Sequence, residues 1–269
     1  MSTVVGTTTE IRPFQVEFPE EEIAELKRRI AASRWPDREL VGDASQGVQL
    51  AMLQELARYW AEEYDFGRIE ATLNALPQYK TTIDGLDIHF IHVESPHDNA
   101  LPLIITHGWP GSIIEMLQVI EPLTDPTAHG GSADDAFHLV IPSIPGYGFS
   151  EEPAEVGWDP GRVAEAWGEL MSRLGYTHYV AQGGDQGAGV TDSMGRQQPD
   201  GLVGVHFNFL GAAPRELLMA ALNLRIAWSH DEREQFGKFV AVAMRGYIAE
   251  MGEHPQTIGY PLAESPVGL

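Results

Sequence analysis

Residues 179–190, YVAQGGDQGAGV, limit what this chain can fold into more than any other stretch. A short apolar run, Tyr179-Val180-Ala181, meets Gly183-Gly184-Asp185-Gln186-Gly187, and further small residues follow. The pattern small-x-acid-x-small asks a strand to turn sharply into a helix. Glycine permits that turn and lets neighbouring backbone approach closely. Taken alone, Gly-Gly-Asp-x-Gly is an ordinary turn, so its weight depends on the sequence around it.

That surrounding sequence alternates. LPLIIT (101–106) reads as a buried strand, followed by HGWPGS and a helix over 113–123. HLVIPS (138–143) is the next strand, followed by PGYGFS (145–150). Asp159-Pro160 then caps a helix whose stripe is Val163, Ala166, Trp167, Leu170, Met171 and Leu174, and Gly175 ends it. HYVAQ and LVGVHFNFL (202–210) supply two more strands. Alternation of this kind predicts an α/β fold on a parallel sheet. Asp84-Gly85 sits between two β-prone runs and predicts a hairpin.

The flanks read differently. Glu20-Glu21-Glu22 after Pro19 and Lys27-Arg28-Arg29 complement the dipole of one N-terminal helix, and VQLAMLQELARYWAEEY carries a second. From about Gly211 onward only helical patterns remain. The expected division is an N-terminal helical module at 1–80, an α/β core at 81–210 and a helical cap at 211–269. Ser265-Pro266 reads as a helix start at the end of the printed sequence.

A carboxylate at a strand-to-helix turn can act as a nucleophile, and the helix N-terminus behind it favours negative charge. It suits attack on strained or halogenated carbon and yields an ester that water must hydrolyse. Hydrolysis then needs an oxyanion hole around the Asp185 carboxyl. Turn geometry points to the backbone N–H of Gln186 and to an N–H in His107-Gly108-Trp109-Pro110, with Trp109 the choice. His107 and Pro110 are the candidate substrate-binding residues, although His107 could equally be a satisfied core histidine.

With HGWPGS, PGYGFS and the Asp185 turn in this order, the chain resembles the microsomal-type epoxide hydrolases of the α/β-hydrolase fold. RPFQVEFPEEEIAELKRRIAASRWPD, GLVGVHFNFLGAAP and HPQTIGYPLAESPVGL extend the likeness over almost the whole sequence. The resemblance implies an α/β-hydrolase core with an N-terminal helical module and a helical cap, ending before the last core strands. It implies conversion of an epoxide to a vicinal diol, with Asp185 as nucleophile, Trp109 and Gln186 as oxyanion donors, and a cap tyrosine as proton donor. RGYIAEMGEHP aligns Tyr247 with that tyrosine, and Tyr260 is a weaker candidate. No metal or organic cofactor is implied.

Two departures stand out. The family commonly has tryptophan after the nucleophile, where this chain has Gln186. The family's charge-relay acid and histidine follow the cap and fall outside the 269 residues. His206, His230 and His254 follow Asp185 without the expected strand and acid before them. The chain alone is therefore expected at best to alkylate itself. The alternatives are a haloalkane-type dehalogenase and a non-catalytic, degenerate or partner-dependent fragment.

Composition narrows the partners. A formal charge of −22 opposes nucleic acid and anionic membranes. No apolar run approaches the roughly 20 residues of a membrane helix, and no secretory leader is evident. With no cysteine, disulfides and thiolate chemistry are excluded, which is compatible with the cytoplasm. The expected partner is a small hydrophobic epoxide, with a homo-oligomer also possible.

Overall fold

The computed structural model describes residues 9–208, 234, 237–238 and 246–268. It divides into two compact units, residues 1–16 with 72–216, and residues 17–71 with 217–269. These bounds differ from the three consecutive segments expected. The reason lies in strand pairing, because residues on either side of the N-terminal helices join the sheet.

In the first unit, seven strands form one sheet, taken in chain order as β1 (Arg12–Pro13), β2 (Gln78–Ile83), β3 (Leu86–Val93), β4 (Leu101–Thr106), β5 (Phe137–Pro142), β6 (Tyr179–Gly183) and β7 (Leu202–Phe207). Their spatial order is β1-β2-β3-β5-β4-β6-β7. The sheet is mixed rather than wholly parallel. The pairs from β1 to β5 are antiparallel, and β5-β4, β4-β6 and β6-β7 are parallel. The antiparallel part follows from the β2–β3 hairpin, whose Asp84 and Gly85 both have positive φ, 51° and 84°, as a tight two-residue turn requires.

β4 is the centre of the parallel half. The chain steps from β4 to β5 on one side and later to β6 on the other, so strand order reverses there. In open α/β sheets, ligands bind outside the carboxyl ends of the strands at such a point.

Helix α5 (Pro160–Arg173) forms as its sequence predicts. Asp159 Oδ1 accepts the Arg162 N–H at 3.0 Å, Pro160 occupies the first turn and Gly175 closes the end at φ 81°. Its buried face, Val163, Ala166, Trp167, Leu170 and Met171, packs with Ile88, Phe90, Ile104 and Val140 of the sheet and Val190 and Met194 of α6 (Gln186–Gln197). The Trp167 indole N–H donates to Thr106 Oγ1 at 3.0 Å, which ties α5 to the last residue of β4. The helix expected over 113–123 begins as a 3-10 turn at Ile113–Met116 and becomes α4 at Leu117–Thr124.

The second unit contains α1 (Glu20–Ala31) and α2 (Leu50–Glu62). α3 (Phe66–Asn74) begins there and ends in the sheet unit. The second unit also holds α7 (Gly246–Glu253) and α8 (Pro255–Glu264). The Arg29 guanidinium donates to the carbonyls of Ala263 and Glu264 at 2.5 and 2.6 Å, a cation placed on the open end of α8. Ser265 caps the C-terminus of α8 rather than starting a helix. No helix among the described residues is long and apolar enough to cross a membrane.

Candidate active site

β6 hands over to α6 across two residues, Gly184 and Asp185. Asp185 has φ 52° and ψ −122°, a conformation natural to glycine and strained for aspartate. Two constraints hold it there. A Cβ on Gly183 would overlap the carbonyl of Gly187, and one on Gly187 would overlap the carbonyl of Thr106. α6 therefore starts hard against the end of β4, and any side chain at either glycine would push it off. Gly184 is closed in the same way by the side chain of Asn208, just beyond β7.

The loop after β4 meets the turn. The Trp109 N–H donates to Asp185 Oδ1 at 3.0 Å across 76 residues of sequence. The approach requires glycine before it, since a Cβ on Gly108 would lie 2.5 Å from Asp185 Cβ and 2.7 Å from Oδ1. The Trp109–Pro110 peptide bond is cis, and Pro110 is exposed. Of the residues singled out from sequence, the structure thus brings Trp109 and Asp185 together. Gln186 follows as the first residue of α6, with its backbone N–H among the unpaired donors of a helix start.

His107 takes the core alternative rather than a substrate contact. It is buried, its Nδ1–H donates to the Gly108 carbonyl at 3.2 Å and its Nε2 accepts the Ile144 N–H at 3.1 Å. Burial holds its pKa below the usual histidine value, against an opposing pull from the Gly108 carbonyl. A neutral ring with both nitrogens occupied ties the β4 loop to the residue after β5. Neither ring nitrogen of His107 remains for a ligand.

The loop after β5 adds a residue that the sequence reading left unassigned. Tyr147 lies between Gly146 and Gly148, whose φ values are 81° and 53°. Its hydroxyl donates to Gln186 Oε1 at 2.8 Å. Partial burial raises the phenol's pKa, with the Asp185 carboxylate adding to the rise. The ring also meets His107 edge-on at 5.5 Å.

The Tyr147 loop is pinned by a buried polar cluster. His89 Nδ1 accepts from Ser143 Oγ at 2.9 Å and Nε2–H donates to Gln78 Oε1 at 3.0 Å. The His89 backbone N–H donates to Ser150 Oγ, whose proton goes to the Ser143 carbonyl. Backbone bonds from Ser143 to His89 and from Glu151 to Asp87 fasten both ends of the loop to β3. Burial, aided by Lys80, lowers the His89 pKa to about 3, so the cluster is built on a neutral ring.

The remaining candidates fall on other elements. Tyr247 is in α7 and Tyr260, largely exposed, in α8, both in the second unit. His206 is exposed on β7 and His254 precedes α8. His230 lies outside the described residues.

Comparison with known proteins gives a consistent result. Residues 11–116 match the family model for the epoxide hydrolase N terminus. A putative epoxide hydrolase of Stigmatella aurantiaca is 52% identical over 260 residues, covering 96% of this chain and 58% of that one. The solved juvenile hormone epoxide hydrolase of Bombyx mori superposes with a TM-score of 0.84 at 33% identity, over 97% of this chain and 64% of that chain. The Aspergillus niger epoxide hydrolase superposes at 0.80 and 30% identity, over 97% and 68%. The chain spans 58% of the length of its curated relative from Stigmatella.

Proposed function

The chain belongs to the epoxide hydrolase family, and from that premise we propose that the protein converts a small hydrophobic epoxide to a vicinal diol through an ester on Asp185. The observation that carries this reading is the Trp109 N–H on Asp185 Oδ1 at a strained strand-to-helix turn. Because Oδ1 is engaged, Oδ2 is the attacking oxygen. It bonds to a ring carbon as the ring C–O bond breaks, and the electron pair stays on the epoxide oxygen. Tyr247 protonates that alkoxide, since a phenol of pKa about 10 is a far stronger acid than the alcohol formed.

Water then attacks the Asp185 carbonyl carbon, and negative charge develops on Oδ1, where the Trp109 N–H already points. When the carbonyl re-forms, the Cγ–Oδ2 bond breaks, the diol leaves with Oδ2 and a proton from the water, and the water oxygen remains in the carboxylate. The Gln186 N–H is the second donor in this reading. The family resemblance assigns activation of that water to a charge-relay acid and a histidine outside the 269 residues. Pro110, exposed beside Trp109, is the remaining candidate for substrate contact. The relatives named above favour the epoxide over a haloalkane, and a chain without cysteine suits the cytoplasm.

The test is intact mass after incubation with styrene oxide, with peptide mapping and parallel assay of diol. Addition of one epoxide mass at Asp185, or diol formation lost in Asp185→Ala, is the expected result. An unmodified protein that makes no diol would overturn the proposal, as would diol formation that survives Asp185→Ala.

A further inference from the structure

The Tyr147–Gln186 contact holds the side chain of the residue that directly follows Asp185. The Tyr147 hydroxyl donates to Gln186 Oε1, and in this orientation the amide nitrogen is left to donate elsewhere. Its Nε2 then carries two N–H groups, and Gln186 makes no other side-chain hydrogen bond among the described residues. Gln186 is exposed and follows Asp185 directly in the chain, and the Tyr147 hydroxyl that holds it lies near enough to Asp185 for the carboxylate to act on the phenol. Donation into the amide oxygen also polarises the group and strengthens its N–H donors.

The geometry fixing this arm is stiff at both ends. Gln186 starts α6, which Gly183 and Gly187 seat against β4. Tyr147 sits on the loop fastened by the His89–Ser143–Ser150 cluster. The Tyr147 ring packs against the core and meets His107 edge-on, which leaves its hydroxyl fixed toward Gln186. An apolar residue at 186 would present only hydrocarbon to the substrate.

We propose that Gln186 Nε2–H donates to an acceptor oxygen on the substrate, with Tyr147 as its positioning residue, so that the preferred epoxides carry an ether, hydroxyl or carbonyl oxygen close to the ring. This rests on the Asp185 reading above and deepens it. An unpaired N–H facing an all-carbon substrate loses its water without a replacement, while an ether oxygen takes it up, so the arm selects between otherwise similar chains.

Butyl glycidyl ether and 1,2-epoxyoctane match in length and differ by one oxygen for one methylene, two bonds from the ring. The full chain is mixed with each under single-turnover conditions, and the rate of Asp185 modification, or of diol where it forms, gives an ether-to-alkane ratio. Intrinsic reactivity cancels when variants are compared with the unaltered chain, and so does any fraction of misfolded protein. Gln186→Met should lower the ratio by roughly five- to tenfold, the span of one neutral hydrogen bond. Tyr147→Phe should lower it in the same direction by less, and have no further effect in the Gln186→Met background. A ratio unchanged in Gln186→Met, with Asp185 still modified, overturns the inference and leaves the Asp185 reading intact. A ratio unchanged in Tyr147→Phe alone removes the positioning role. Failure of the unaltered chain to react with either epoxide overturns both.

Discussion

At the scale of single residues, this site depends on what glycine permits and aspartate tolerates. Asp185 occupies backbone space that favours glycine, at a cost on the order of 1–3 kcal/mol. Asp185→Gly should therefore raise stability by about 1 kcal/mol in urea titration while abolishing modification by styrene oxide. Gly108→Ala should slow the reaction with the nucleophile still in place. Its methyl group would meet Asp185 Cβ at 2.5 Å and displace the Trp109 N–H, and a shift near 1 Å typically costs about 100-fold in rate. Single-turnover mass spectrometry at matched folded fraction checks that expectation. The meeting of Asp185 with the Trp109 N–H was legible in the sequence because glycine spacing and strand order point to it. Tyr147 was not, although its motif was. Its partner is 39 residues away, and only the neighbouring positions of β5, β4 and β6 bring the two together. His107 was legible as a motif and misleading as a ligand, since sequence cannot tell that both of its nitrogens are occupied.

At the scale of elements, α6 shows how far spacing alone can be read. Its three glycines, Gly187, Gly189 and Gly195, look alike in the sequence, yet their surroundings differ. Gly187→Ala would collide with the carbonyls of Thr106 and His107, both backbone and unable to yield. It should lower stability by about 3 kcal/mol, as overpacking against rigid neighbours does. Gly189→Ala meets only Pro160 at 3.7 Å, an ordinary contact, and should gain about 0.5–1 kcal/mol from helix propensity. Thermal melts of the two variants should move in opposite directions. The α5 cap, its stripe and the β2–β3 hairpin could be read locally because each is decided within a few residues. The short β1 could not, because Arg12 and Pro13 become a strand only through pairing with Lys80 and Tyr79. The mixed character of the sheet was missed for the same reason, since pairing direction is a property of partners.

At the scale of the molecule, three histidines of the sheet unit, His89, His92 and His107, have pKa values held below 6.5, chiefly by burial. The unfolded chain binds their protons first as pH falls, so the stability they contribute is complete above pH 6.5 and declines below it. For His89 the decline runs down to about pH 3. Each histidine adds up to ~1.4 kcal/mol per pH unit within its window. Chemical denaturation at pH 7.5, 6.5 and 5.5 should show loss beginning between the last two, before most carboxylates titrate, with a shallower slope in His89→Gln. The parallel pairing of β4 and β6 acts as a ruler for the chemistry. Thr106 stands opposite Gly183, and the two loops that meet at Asp185 leave the sheet from these residues. One step of slippage would move one loop about 3.3 Å past the other and turn alternate side chains to the wrong face. Activity is thus gauged by strand alignment, and a substitution deep in β4 or β6 that loosens that alignment would silence the site without touching any residue in it.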